Sequence, residues 1–104
     1  MNRFIILLKV DSEPKLVKAN EPITLEQLQE WVGGDIEVIQ LGHQMILVVN
    51  EEGLFRDMKL NHLATQVADR SIVGPAVICY VKGMNMVGVT HDVAKMILDS
   101  LKEA

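Results

Sequence analysis

Three short runs of this chain are apolar on both alternating faces: Phe4 to Val10, Met45 to Val49 and Ala76 to Val81. A strand with one wet face alternates apolar and polar side chains, so a run without alternation is a strand covered above and below. That places a sheet at the centre of the molecule, its middle strands out of water. None of the runs approaches the ~18–20 apolar residues needed to span a bilayer. Phe4-Ile5-Ile6-Leu7-Leu8 runs into Lys9 and Asp11 and lacks a small-residue cleavage site, so it reads as a strand and not as a secretory leader.

The 104 residues are one domain's worth of chain, and a single domain over 1–104 is expected. Hydrophobic residues make up 49%, and with 7 Gly the apolar share exceeds the usual ~45–50%. The three strands absorb much of that excess. The remainder concentrates in Met84, Met86, Val87 and a C-terminal stripe, which marks residues 83 to 104 as the place for a subunit contact or a lid over a pocket.

Charge excludes one class of partner. A net charge of −4 with no Lys/Arg cluster opposes the counterion-release attraction that drives binding to a nucleic-acid polymer. Phe4, Trp31, Phe55 and Tyr80 are too few to stack a single strand. The lone Cys79 rules out an internal disulfide and a thiolate-rich metal site; it favours a reducing, cytoplasmic location and reads as a small core hydrophobe between apolar neighbours.

The remaining elements follow from caps and turns. Asp11-Ser12-Glu13-Pro14 turns the first strand into a second, Lys15 to Lys18. Thr24 and Gln27 have capping-box spacing and open a helix that buries Leu25, Leu28 and Trp31 or Val32 before ending at Gly33-Gly34. Ile36 to Leu41 and His43 to Val49 form a hairpin, with Gly42 at the position that needs positive φ. Asn50-Glu51-Glu52-Gly53 stops its second strand. A short helix over Leu60 to Ala68 would put Leu60, Leu63, Ala64 and Val67 on one side. Residues 82 to 88 read as a loop with two thioethers, a hairpin end folded on the core or, as the alternative, a lid over an apolar ligand. Thr90 opens a last helix striped by Val93, Met96, Ile97 and Leu101, with Lys95, Asp99, Lys102 and Glu103 on its wet side. The sum is an α+β fold: a small mixed or antiparallel sheet of about five strands with two or three helices, the last of them amphipathic and C-terminal.

No catalytic constellation emerges. His43, His62 and His91 lack metal-ligand spacing, Glu51 and Glu52 are neighbours on a turn, and no nucleophile elbow or phosphate loop occurs. Neither an enzyme, a metal nor a cofactor is expected. Two features point to binding. Glycines at Gly33-Gly34 let backbone N–H groups approach a ligand, although helix termination explains them as well. Between a buried strand and a short helix lie Asn50, Glu52, Arg56, Asn61 and Thr65, whose amides and hydroxyl could read a ligand while Arg56 holds an anion; turn and cap roles account for Asn50 and Thr65 equally.

Val32-Gly33-Gly34-Asp35-Ile36-Glu37-Val38, Val48-Val49-Asn50-Glu51-Glu52-Gly53, Asn61-His62-Leu63-Ala64-Thr65 and Gly74-Pro75-Ala76, in that order, give the chain its likeness. It resembles a family of small domains of unknown function carried by bacteriophages, plasmids and their hosts. The resemblance implies no transferable enzymatic activity. Its setting implies a non-enzymatic phage protein, a sponge that sequesters a small nucleotide-derived immune signal in the host cytoplasm. Gly33, Gly34 and Arg56 would then hold phosphate, Asn50, Asn61 and Thr65 would read base or ribose groups with Glu52 in the same cluster, and Phe55, or Trp31 if it is not in the core, would stack. The alternative is an interaction module that inhibits a host defence enzyme through an acidic or apolar surface; a hydrolase of such signals ranks last. The all-round apolar strands and striped final helix lead us to expect a homo-oligomer.

Overall fold

A computed structural model describes residues 2–102. In chain order it contains β1 (Arg3–Leu8), β2 (Lys15–Ala19), α1 (Leu25–Val32), β3 (Ile36–Gly42), β4 (Met45–Asn50), α2 (His62–Ala68), β5 (Ala76–Lys82), β6 (Asn85–Val87) and α3 (His91–Lys102). The fold is α+β. Its sheet runs β2-β1-β5-β4-β3, antiparallel at every pairing, with β6 as a sixth strand against β5.

Both faces of the central strands β1, β4 and β5 are buried, as the unalternating runs require. Ile6 and Leu8 of β1, Leu47 and Val49 of β4 and Ala76 and Ile78 of β5 pack with Ala64 of α2 and Ala94 and Leu101 of α3. Their neighbours Ile5, Leu7, Ile46, Val48, Val77 and Cys79 pack on the opposite face with Leu28 and Val32 of α1. Period-two geometry sends adjacent residues of one strand to opposite layers, so the stretch of a central strand that lies between two helical layers is apolar at successive positions. Each fully buried Leu, Ile or Val side chain stabilises the fold by about 1.5–3 kcal/mol relative to exposure.

β1 and β6 share one edge of β5: β1 pairs with Ala76–Ile78 and β6 with Tyr80–Lys82. Leaving β6, the chain crosses to β1, where Phe4 and Val89 exchange hydrogen bonds of 2.8 and 2.7 Å. Gly88 permits this crossing, because a Cβ there would stand 2.9 Å from both the backbone N and O of Phe4.

The capping expectations hold for α1. Thr24 accepts from the Gln27 backbone N–H at 3.1 Å, and Gly33 closes the helix in the left-handed region. Leu25, expected in the core, is instead 55% exposed, because Leu28 and Val32 form the buried line one turn apart. The hairpin turn also sits one residue later than the glycine suggests. His43 and Gln44 occupy its two central positions, both at positive φ, and Gly42 belongs to β3 at a register shift.

One further expectation changes and another holds. Leu60 lies outside α2 and bridges to Val73, since Asn61 is the N-cap and starts the helix at His62. Residues 82 to 88 form the β5–β6 hairpin, which exposes Met84 and packs Met86 on the α1 side. Thr90 caps α3 as expected, its Oγ1 accepting from the Val93 N–H at 3.3 Å, but Met96 of the predicted stripe is 70% exposed. Glu103 lies outside the described residues.

Candidate functional site

The polar residues singled out in the sequence separate into two clusters. At the first, the turn after β4 docks against the end of α1. Asn50 donates from Nδ2 to the Val32 carbonyl at 3.0 Å, and its Oδ1 accepts from the Glu52 N–H at 2.8 Å. Arg56 donates from Nη1 to the Gly33 carbonyl at 2.6 Å. Gly34 is hemmed in by both side chains, for a Cβ there would lie 3.0 Å from Asn50 Nδ2 and 3.2 Å from Arg56 Nη1.

This geometry reverses the phosphate expectation for Gly33 and Gly34. Both backbone N–H groups donate to the Gln29 carbonyl, at 2.8 and 3.0 Å. A helix C-terminus carries partial negative charge and attracts a cation, and Arg56 is that cation. The glycine pair and Arg56 therefore terminate α1 together and offer no cradle to an anion. Glu52 lies on the exposed side of the same turn.

The second cluster is internal. Asn61 is 1% exposed. Its Nδ2 donates to the carbonyls of Leu8 and Gly74, both at 2.8 Å, and its Oδ1 accepts from the Ala64 N–H at 3.1 Å. Thr65 Oγ1 accepts from the Ile72 N–H at 2.9 Å and lies 3.3 Å from the Ile72 carbonyl. Of the three side chains expected to read a ligand, Asn61 and Thr65 tie β1, α2 and the approach to β5 together. Phe55, expected as a stacking face, has no ring against it and is 91% exposed beside Leu54 at 78%.

Titratable chemistry is sparse. Burial pushes the Cys79 thiol up to about 12, which keeps it protonated and inert as a nucleophile. Among the described residues, no three His, Cys, Asp or Glu side chains gather as a metal set. His91 packs edge-on against Phe4 with ring centroids 5.6 Å apart. No helix among the described residues is long and apolar enough to cross a membrane.

A concavity larger than those beside either polar cluster lies elsewhere. α2 and α3 cover the same sheet face without closing over it, and between them opens a cleft of about 450 Å³. Val67 comes from α2, Met45, Ile78 and Tyr80 from the sheet floor, and Val93, Met96, Ile97, Ser100 and Leu101 from α3. No lining residue is charged. Val93, Met96, Ile97 and Leu101 lie within residues 83 to 104, where a contact or lid is expected, whereas Met45, Val67 and Ile78 carry only the pattern of core residues. A helical stripe predicts burial equally well whether its partner is the sheet or a ligand.

The whole described fold falls within one family match, a domain of unknown function designated DUF3846, over residues 1–102. The chain belongs to this family. The match includes the C-terminal hairpin and α3, so the cleft is part of the family's domain. No curated protein and no solved structure matches the chain.

Proposed function

We propose that this DUF3846 protein is a binding module without chemistry of its own, and that it holds a small, largely apolar molecule in the cleft between α2 and α3. The observation that carries this reading is the cleft: about 450 Å³, lined by nine residues, none of them charged. Apolar clefts of that volume with a few polar groups are the usual form of a small-molecule site. The hydroxyl-bearing residues Tyr80 and Ser100 would orient the ligand.

Sequestration without turnover, the role that the resemblance implies, fits this cleft, but with a ligand of different chemistry. A nucleotide-derived signal would have to leave its phosphates outside an uncharged cleft, and the amides at Gly33 and Gly34 are already taken by Gln29. Binding is therefore expected from the apolar part of a ligand.

Thermal denaturation against a panel of fatty acids, indoles, nucleosides and cyclic dinucleotides tests this. Apolar members should raise the melting temperature of the wild type and leave Ser100→Trp, which fills the cleft, unchanged. Equal shifts in both proteins, or none from any member, would reject the cleft as the site.

A further inference from the structure

Residues 51–57, between β4 and α2, read Glu-Glu-Gly-Leu-Phe-Arg-Asp and carry the most exposed aromatic side chain among the described residues. Single exposed apolar residues are ordinary on protein surfaces. Here Leu54 and Phe55 are adjacent, and the backbone that presents them is held from behind at several points.

The holding contacts are specific. Asn50 and Arg56 fasten the turn to the Val32 and Gly33 carbonyls at the end of α1. The Glu51 N–H donates to the Asp35 carbonyl at 2.8 Å, the Arg56 N–H to Glu52 at 2.9 Å and the Met58 N–H to Gly53 at 3.1 Å. Gly53 lies flat against Val73, where a Cβ would come within 2.9 Å of that side chain. A turn fixed this way loses little conformational freedom when its tip is gripped, and preorganised aromatic anchors dominate protein interfaces.

Charge then specifies the partner. Glu51, Glu52 and Asp57 flank the apolar pair and are exposed, whereas Arg56, the only cation of the segment, is directed back to Gly33. The outer face is therefore a hydrophobic tip on an acidic collar.

We propose that this turn docks on another protein, inserting Phe55 with Leu54 into an apolar pocket rimmed by lysine and arginine side chains. Complementary collars would guide the encounter and make it salt-sensitive. The surface lies apart from the α2–α3 cleft and shares no lining residue with it.

The test places the photoreactive p-benzoylphenylalanine at position 55 of the full chain, in the cells that produce it, and maps the adduct by mass spectrometry. The expected adduct is with a different protein, on a peptide lining an apolar pocket beside Lys or Arg. Its yield should fall about tenfold with Glu51→Lys/Glu52→Lys and also with Leu54→Ser. Melting temperatures should stay at the wild-type value, because these side chains face solvent. The proposal is overturned by adducts only to a second copy of the chain, by no adduct, or by a yield indifferent to charge reversal.

Discussion

Asn61 and Leu8 are 53 residues apart in sequence, yet the Asn61 amide donates to the Leu8 carbonyl at 2.8 Å in the buried interior. The same nitrogen reaches Gly74, and the side-chain oxygen caps α2. One side chain thus joins the end of β1, the start of α2 and the approach to β5.

Asn61→Ala should accordingly destabilise the protein by about 3 kcal/mol. It removes an N-cap, typically about 1 kcal/mol, and strips partners from two buried carbonyls. Asn61→Asp keeps the capping oxygen but loses both donors and buries a charge, so it should not recover stability. Urea unfolding of the three proteins at neutral pH measures both effects.

Arg56→Ala should cost about 1 kcal/mol, the ordinary net value of one hydrogen bond, because Arg56 sits at the surface. Its main consequence is local. Amide exchange in the 53–58 turn should accelerate while the central strands β1, β4 and β5 keep their protection, which hydrogen exchange resolves residue by residue.

Gly74→Ala should be among the most damaging single-methyl additions in the protein. Its φ is +78°, and the new Cβ would come 2.5 Å from Met58 Sδ. Strain and overlap together predict a loss of about 2 kcal/mol or more. Met58→Ala should relieve the overlap and leave the backbone strain, so a double-mutant cycle should return a favourable coupling energy between the two positions.

Cys79 predicts a pH dependence. Its native thiol titrates near 12 against an ordinary value of 9.0. Below pH 9 the thiol is neutral in both folded and unfolded chains and contributes no pH dependence. Between about 9 and 12 the unfolded chain releases the proton and the native protein retains it, so native stability falls as pH rises. The wild type should lose stability relative to Cys79→Ala across that window, as urea midpoints compared pH by pH would show. Identical pH profiles would contradict the burial-driven shift.

The layers of the fold were legible because they follow from periodicity and capping. Unalternating runs announced strands covered on both faces, and Thr24 and Gly33 bounded α1 correctly. The site was less legible. Asn50, Arg56, Asn61 and Thr65 are polar residues near a turn whether they read a ligand or hold the chain's own carbonyls; only distances such as 2.6 Å from Arg56 to Gly33 separate the two roles. The hairpin end at 82–88 was legible, but three residues, Asn85–Val87, show too little alternation to mark β6 as a strand of its own.

The shared edge of β5 has a consequence for synthesis. β1 emerges from the ribosome before the other elements of this fold, with apolar side chains on both faces, but its neighbour β5 ends at Lys82 and the bridge from Phe4 leads to Val89. The β1–β2 hairpin must therefore wait until residues 76–89 have been translated before its second side is covered. Non-local closure of this kind slows folding and leaves apolar strand surface open in the interval. Exposure to aggregation should thus be greatest in nascent chains that stop short of residue 89.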